Sequence, residues 1–129
     1  MAQKLLVVDD EGPILQLLKE ILQSLGAAVL AVADSCQALE YVEQQKVDGI
    51  FLDINMPGLD GIELTMRIRV STLNKKVPIV ILSGLDDAET MGKGFRAGAS
   101  AFLGKPVTRD RVQKLYQAMC GPMLMECRG

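Results

Sequence analysis

The sequence predicts a single α/β domain built on a parallel β-sheet. Short, wholly apolar runs alternate along the chain with longer segments whose apolar residues recur at helical spacing. Apolar runs of this kind are typical of strands buried on both faces of a parallel sheet. Strict alternation of the two segment types favours a doubly wound architecture. The chain has 129 residues, enough for one domain with a substantial core.

Five segments are predicted strands. Four are short apolar runs, at residues 5–8, 49–52, 78–82 and 101–104, and the second strand in chain order covers 27–33. The polar residues that follow the four apolar runs are Asp9, Asp53, Ser83 and Lys105. Because the carboxyl ends of parallel strands meet at one edge of a sheet, and ligands bind there, these residues are expected to form a site.

The helices are predicted from spacing and from their end signals. Pro13 suits a first helical turn, and Gly26 suits a helix end. Asp34 or Ser35 is expected to cap the second helix, and capping is the preferred role of Asp34. The last helix is expected to begin near Thr108 and to end at Gly121-Pro122. The apolar faces comprise Ile14, Leu17, Leu18, Ile21, Leu22 and Leu25 in the first helix, Leu39 and Val42 in the second, and Val112, Leu115, Tyr116 and Met119 in the last.

Two segments carry mixed signals. Apolar residues at 62, 64, 66, 68 and 70 alternate with other residues, which is a strand-like period. A third helix is predicted there because Asp60 can cap it and because parallel strands need a crossover connection. The fourth helix, at 88–98, contains Gly92 and Gly94, each of which costs about 1 kcal/mol relative to alanine. It is expected to be the least stable helix.

The composition of the chain argues against several classes of function. A formal net charge of −2 gives no basic footprint for direct nucleic-acid binding, and no apolar stretch is long enough for a membrane span. No signal-peptide core precedes the first strand, so a cytoplasmic location is expected. Three cysteines without a C-x-x-C pair indicate reduced thiols. The chain contains no histidine, which excludes histidine-based acid–base catalysis within it.

Five motifs, in order, resemble the response-regulator receiver domain of two-component signalling, as in chemotaxis-type regulators. They are Leu6-Val7-Val8-Asp9-Asp10-Glu11, the segment 52–61 reading LDINMPGLDG, Ile81-Leu82-Ser83-Gly84, Ala97-Gly98-Ala99 and Phe102-Leu103-Gly104-Lys105-Pro106. The resemblance implies a flavodoxin-like, five-stranded sheet in the order 2-1-3-4-5 with five helices. In that order the first and third strands are neighbours, so Asp9, Asp10 and Asp53 would meet.

The resemblance also implies roles for individual residues. Asp53 would accept a phosphoryl group from a histidine kinase or a histidine phosphotransfer protein and switch an unknown output partner or downstream domain. Lys105 and Ser83 would contact phosphoryl oxygens. Clustered carboxylates favour Mg²⁺, which Asp10, Asp53 and the backbone carbonyl of Asn55 would ligate directly and Asp9 through water. Phe102 would act with Ser83 in the switch, and Asn55 and Leu85 would tune hydrolysis of the phosphoryl group.

The same residues also allow two other functions. A strand-end aspartate also suits an aspartyl-phosphate phosphatase of the haloacid dehalogenase type, although the second aspartate usual in those enzymes is replaced here by Asn55. A receiver-like binding module that is not phosphorylated is the other alternative. The glycines of the segment 92–98 follow a G-x-G-x-x-x-G spacing, which fits a dinucleotide loop poorly. The expected boundaries are a receiver domain at 1–120 and a short tail at 121–129, with no enzymatic activity beyond self-phosphorylation and autodephosphorylation.

Overall fold

The computed structural model describes residues 3–56, 58–84 and 88–128, and in these ranges strands and helices alternate along the chain. The elements are β1 (Lys4–Val8), α1 (Gly12–Ser24), β2 (Ala28–Val32), α2 (Ser35–Gln44), β3 (Gly49–Asp53), α3 (Gly61–Arg69), β4 (Ile79–Ser83), α4 (Ala88–Ala97), β5 (Ala101–Gly104) and α5 (Arg109–Arg128). All neighbouring strands are parallel, in the order β2-β1-β3-β4-β5. The predicted flavodoxin-like fold class is confirmed.

The sheet separates two hydrophobic cores because successive strand residues point to opposite faces. One face packs against residues of α2 and α3, and the other packs against residues of α1 and α5. The first core includes Leu6, Val8, Ile50, Leu52, Ile79 and Ile81 with Val42, Leu64 and Ile68, and the second includes Leu5, Val7, Phe51, Val80 and Leu82 with Leu18, Leu22 and Val112. Every residue of β3 and β4 is buried, which explains why their sequences are apolar up to the terminal Asp53 and Ser83.

Helix α3 resolves the strand-like pattern of residues 62–70. Asp60 is extended, and its Oδ1 accepts a hydrogen bond of 2.8 Å from the Glu63 N–H, as the capping prediction requires. Leu64 and Ile68 are fully buried, whereas Met66 and Val70 are exposed by 48% and 83%. The apparent alternation therefore comes from apolar residues that lie on the solvent side of a helix.

The other helix ends mostly follow their signals. Pro13 lies in the first turn of α1, and Asp34 caps α2 by accepting a 2.7 Å hydrogen bond from the Cys36 N–H. Leu17, expected on the buried face of α1, is instead 40% exposed. The prediction that Gly121-Pro122 ends the last helix is wrong, because α5 continues to Arg128. A proline inside a helix removes one backbone hydrogen bond and bends the axis, but flanking residues can continue the helix.

Two polar side chains connect the segment between α3 and β4 to the rest of the fold, and neither contact is predicted from the sequence. Asn74 is 1% exposed; its Oδ1 accepts from the Val47 N–H at 2.9 Å, and its Nδ2 donates to the carbonyl oxygens of Val42 and Gln45 at 2.6 and 2.8 Å. The Arg69 guanidinium donates to the carbonyls of Gly98 and Val77. The hydrogen bonds from Asn74 to the Val42 and Gln45 carbonyls cap the carboxyl end of α2.

None of the helices in the described part of the chain is both long enough and apolar enough to cross a membrane.

Candidate functional site

Strand register brings the acidic residues together. Val8 of β1 pairs with Leu52 of β3, so Asp9 and Asp53 each follow a paired residue on neighbouring strands. The acidic ligand atoms of Asp9, Asp10 and Asp53 all lie within 4.8 Å of one another. Asp9 and Asp53 are buried, with exposed fractions of 0% and 2%, whereas Asp10 is exposed to solvent. The predicted convergence of the three carboxylates is therefore observed.

Strands β4 and β5 deliver the other two predicted residues to the same edge. Ser83, which is 2% exposed, pairs with Gly104, and the backbone N–H of Lys105 donates to the Ser83 carbonyl oxygen at 3.0 Å. The Lys105 Nζ atom lies 3.0 Å from Asp53 Oδ1. Burial alone would lower the pKa of Lys105, but the hydrogen bond and charge of Asp53, helped by Glu11, raise it above its usual value. Lys105 is therefore a stable cation beside Asp53.

Asp9 is the electrostatically costly member of the cluster. Burial raises the pKa of Asp9 to about 6; the hydrogen bond from the Glu11 N–H lowers the pKa, and the charge of Asp53 raises it. Asp9 Oδ1 accepts that hydrogen bond at 2.8 Å. Asp9 Oδ2 is buried and has no hydrogen-bond partner among the described residues. A buried carboxylate oxygen without a partner, within a group of three carboxylates, fits a hard divalent cation such as Mg²⁺.

The loop after β3 is held against the strand end by a close approach of α3. The Gly61 N–H donates to the Ile54 carbonyl oxygen at 2.8 Å. A Cβ atom at residue 61 would lie 2.7 Å from Ile54 Cα and 2.9 Å from Leu52 Cδ1, so only glycine fits here without displacement. This packing fixes the backbone around Asp53 and Asn55. The Asn55 side chain is exposed, and Leu85 and Pro57 lie outside the described residues.

Phe102 lies on β5, away from the carboxylates, where it pairs in register with Ile81. Its ring is partly buried against the core and meets the Phe95 ring edge-on, with the ring centroids 5.2 Å apart. The ring also occupies the space above Gly94 of α4, where a Cβ atom would lie 2.8 Å from Phe102 Cε1. The ring is therefore in direct contact with the helix that carries Gly94.

Comparison with known proteins gives the family. The family model described as "Response regulator receiver domain" matches residues 5–117. The chain belongs to this family. It is 35% identical over 119 residues to the alkaline phosphatase synthesis transcriptional regulatory protein PhoP of Bacillus subtilis, covering 92% of this chain and 49% of PhoP. It is 29% identical over 113 residues to sporulation initiation phosphotransferase F of the same species, covering 88% and 90%.

Solved structures of receiver domains are also similar. The receiver domain of sensor histidine kinase PA1611 from Pseudomonas aeruginosa, with a magnesium ion coordinated in its active-site cleft, has a TM-score of 0.86 and 32% identity, covering 94% of this chain and 99% of that one. Chemotaxis response regulator CheY4 of Vibrio cholerae has a TM-score of 0.88 and 31% identity, with coverage of 92% and 99%. The receiver-domain assignment replaces the phosphatase alternative.

One residue at the site was not predicted. Glu11 Oε1 lies 3.2 Å from Lys105 Nζ, although the two residues are far apart in the sequence. Glu11 directly follows the two aspartates after β1, so its position next to the site was visible in the sequence. Its contact with Lys105 was not, because that contact depends on how two loops from distant strands approach each other.

Proposed function

We propose that Asp53 accepts a phosphoryl group from a phosphohistidine of a partner histidine kinase or phosphotransfer protein, in a reaction that requires Mg²⁺. The observation that carries the proposal is the pairing of a nearly buried Asp53 carboxylate with the Lys105 ammonium at 3.0 Å, beside two further carboxylates. These 129 residues contain no histidine, so the phosphohistidine of the donor lies outside this domain.

The side chains have complementary roles in the transfer. An Asp53 carboxylate oxygen attacks phosphorus in line, the new oxygen–phosphorus bond forms as the histidine nitrogen–phosphorus bond breaks, and the imidazole leaves with the bonding electron pair. Lys105 donates to one phosphoryl oxygen and the Ser83 hydroxyl donates to another, which stabilises the charge that develops in the transition state. Attack of water on the aspartyl phosphate later returns Asp53 and inorganic phosphate, at a rate tuned by Asn55 and Leu85.

The acidic cluster is suited to hold the metal ion. Asp10, Asp53 and the Asn55 carbonyl would ligate Mg²⁺ directly and Asp9 would act through water, in keeping with the buried Asp9 Oδ2, to which no described residue is hydrogen-bonded. When bound, Mg²⁺ neutralises charge between the carboxylates and the phosphoryl group. The chain itself supplies the acidic ligands, and Lys105 supplies the one neighbouring cation seen among the described residues.

The proposed output is a change in binding to a downstream partner or domain, without direct nucleic-acid contact by this domain. The chain spans 49% of the length of PhoP and 90% of that of sporulation initiation phosphotransferase F, so relatives include both larger and similar-sized proteins. The receiver part is proposed to be residues 1–120, followed by a tail at 121–129.

Phosphorylation is tested by incubating the protein with a small phosphodonor and Mg²⁺ and measuring added mass. Wild-type protein should gain one hydroxylamine-sensitive phosphoryl group, and Asp53→Asn should gain none. Asp34→Asn is the matched control, because asparagine caps a helix as well as aspartate does, and it should label like wild type. Labelling of Asp53→Asn would refute the assignment; an unlabelled wild type would favour the receiver-like binding module.

Metal binding is tested separately by calorimetric titration with Mg²⁺, since the chain contains no tryptophan to report it by fluorescence. Asp10→Ala should weaken Mg²⁺ binding and slow phosphorylation together. Unchanged affinity in Asp10→Ala would remove this residue from the ligand set.

A further inference from the structure

The Glu11 side chain reaches across the site to a residue 94 positions away in the chain. Glu11 occupies the position before α1, where a side chain commonly accepts a hydrogen bond from the first helical turn, yet it makes no such bond. Its backbone N–H donates to Asp9 Oδ1 at 2.8 Å, and its Oε1 atom lies 3.2 Å from Lys105 Nζ. Glu11 is therefore held by its backbone at the acidic cluster and by its side chain at the ammonium group.

The exposures of the three partners define an inner and an outer side of Lys105. The side chains of Asp53, Lys105 and Glu11 are 2%, 21% and 57% exposed. Asp53 thus contacts the ammonium group from inside the protein, and Glu11 contacts it from the solvent side. A phosphodonor arriving from solvent meets the Glu11 carboxylate next to the cation that its phosphoryl group needs. The carboxylate repels an anionic donor and occupies one of the three N–H groups of Lys105.

We propose that Glu11 is a positioning residue that competes with the incoming phosphoryl group for Lys105 and makes phosphorylation sensitive to the charge of the donor. This inference rests on the proposed phosphorylation of Asp53. In the unphosphorylated protein Glu11 holds the ammonium group at the entrance of the site. On phosphorylation a phosphoryl oxygen takes the place of the Glu11 carboxylate, whose exposed position lets it turn into solvent.

The expected effect is modest because the ion pair is partly exposed. Exposed pairs contribute about 0.2–1 kcal/mol, which corresponds to a change in rate of about 1.5- to 5-fold. Raising the salt concentration should reduce the effect, because the Glu11 carboxylate is accessible to mobile ions. A purely structural role of Glu11 would not produce a dependence on donor charge or on salt.

The kinetic test compares acetyl phosphate, which is largely a dianion at neutral pH, with phosphoramidate, which carries less negative charge. At saturating Mg²⁺, Glu11→Gln should raise the second-order rate constant for acetyl phosphate by about 1.5- to 5-fold and that for phosphoramidate by less. Glu20→Gln makes the same charge change at an exposed position of α1 and should leave both rate constants unchanged. Equal changes for both donors, or slower reaction with acetyl phosphate, would overturn the proposal.

The contact itself is tested without metal or phosphodonor, by following the Lys105 ε-methylene group by NMR. Glu11→Ala should shift this resonance, and Glu20→Ala should not. An unmoved resonance in Glu11→Ala would show that the two side chains do not interact in solution, which also overturns the proposal. Absence of labelling in wild-type protein would instead refute the phosphorylation of Asp53, so the two failures are distinguishable.

Discussion

The buried Asp9 carboxylate is part of the site, but its charged form lowers the stability of the fold. Its pKa rises from 3.8 to about 6 on folding, mainly because burial disfavours the charged form. Between these two values the folded state binds more protons than the unfolded state, so stability falls as pH rises through the interval and the loss is complete above pH 6. A shift of this size corresponds to about 3 kcal/mol at neutral pH. A cation at the cluster would offset this cost.

We therefore expect Asp9→Asn to stabilise the metal-free protein more at neutral pH than in acid. Asparagine can still accept the Glu11 N–H but carries no charge. Its stabilising effect should be about 2 kcal/mol larger at about pH 7.5 than at about pH 4.5. Urea unfolding followed by circular dichroism measures both values. A stabilising effect of Asp9→Asn that does not vary with pH would contradict the raised pKa of Asp9.

The role of Asn74 is purely structural. It satisfies one buried N–H and two carbonyl groups around the carboxyl end of α2. Asn74→Ala removes all three hydrogen bonds at a buried position, and we expect it to cost about 2–4 kcal/mol in the free energy of unfolding. Gln37→Ala, at an exposed position of α2, should change it by less than about 0.5 kcal/mol. A cost below about 1 kcal/mol for Asn74→Ala would mean that water replaces the lost partners.

For the helices and strands, the sequence predicted the type and order of the elements better than the residues at which they end. Asp34 and Asp60 each bond a backbone N–H of the helix they precede, which is a local interaction and therefore readable from a few residues. Periodicity in α3 was misleading because Met66 and Val70 are exposed apolar residues. The predicted end of α5 was wrong because glycine and proline lower helix stability without excluding a helix.

The two glycines of α4 differ in what surrounds them, which the sequence did not reveal. A Cβ atom at residue 94 would collide with the Phe102 ring, whereas one at residue 92 would meet only the flexible Arg96 guanidinium, at 3.2 Å. Gly92→Ala should therefore stabilise the protein by about 0.5–1 kcal/mol through helix propensity. We expect Gly94→Ala to destabilise it, because the Phe102 ring must leave its position.

The explanation for Gly94→Ala is tested in a second background. When Phe102→Ala removes the ring, Gly94→Ala should become stabilising by about 0.5–1 kcal/mol, like Gly92→Ala. Urea unfolding of the four proteins gives the coupling free energy between residues 94 and 102. Equal effects of Gly94→Ala in both backgrounds would show that the ring does not occupy the space above Gly94.

For the whole molecule, topology explains which parts of the site were predictable. Parallel strands in the order β2-β1-β3-β4-β5 bring their carboxyl ends to one edge, so Asp9, Asp53, Ser83 and Lys105 follow from strand ends alone. The Glu11–Lys105 contact and the hydrogen bonds of Asn74 join residues far apart in sequence, through loops whose paths no local pattern specifies. The roles of Asn55 and Leu85 in hydrolysis remain predictions.

The same topology connects the site with a distant surface. The phosphoryl group of phosphorylated Asp53 carries a charge of about −2 beside the end of β4, where the unmodified carboxylate carries −1. Ser83 is linked through its carbonyl oxygen to Lys105 of the β5 end, and Phe102 of β5 touches α4. A movement of the Ser83 hydroxyl toward the phosphoryl group would leave space behind β4 that the Phe102 ring can enter, and α4 would then repack. The predicted output surface is accordingly α4, β5 and α5.

We expect beryllofluoride, a phosphoryl mimic, to change NMR chemical shifts mainly in residues 83–106, as well as in the loops that carry Asp10 and Asp53. Because α4 is expected to be the least stable helix, its repacking should require little free energy, so its resonances should move although α4 contributes neither a carboxylate of the acidic cluster nor the lysine beside it. Asp53→Asn should show no changes under the same conditions. Changes restricted to the loops around Asp10 and Asp53 would mean that the signal leaves the site by a route other than Ser83 and Phe102.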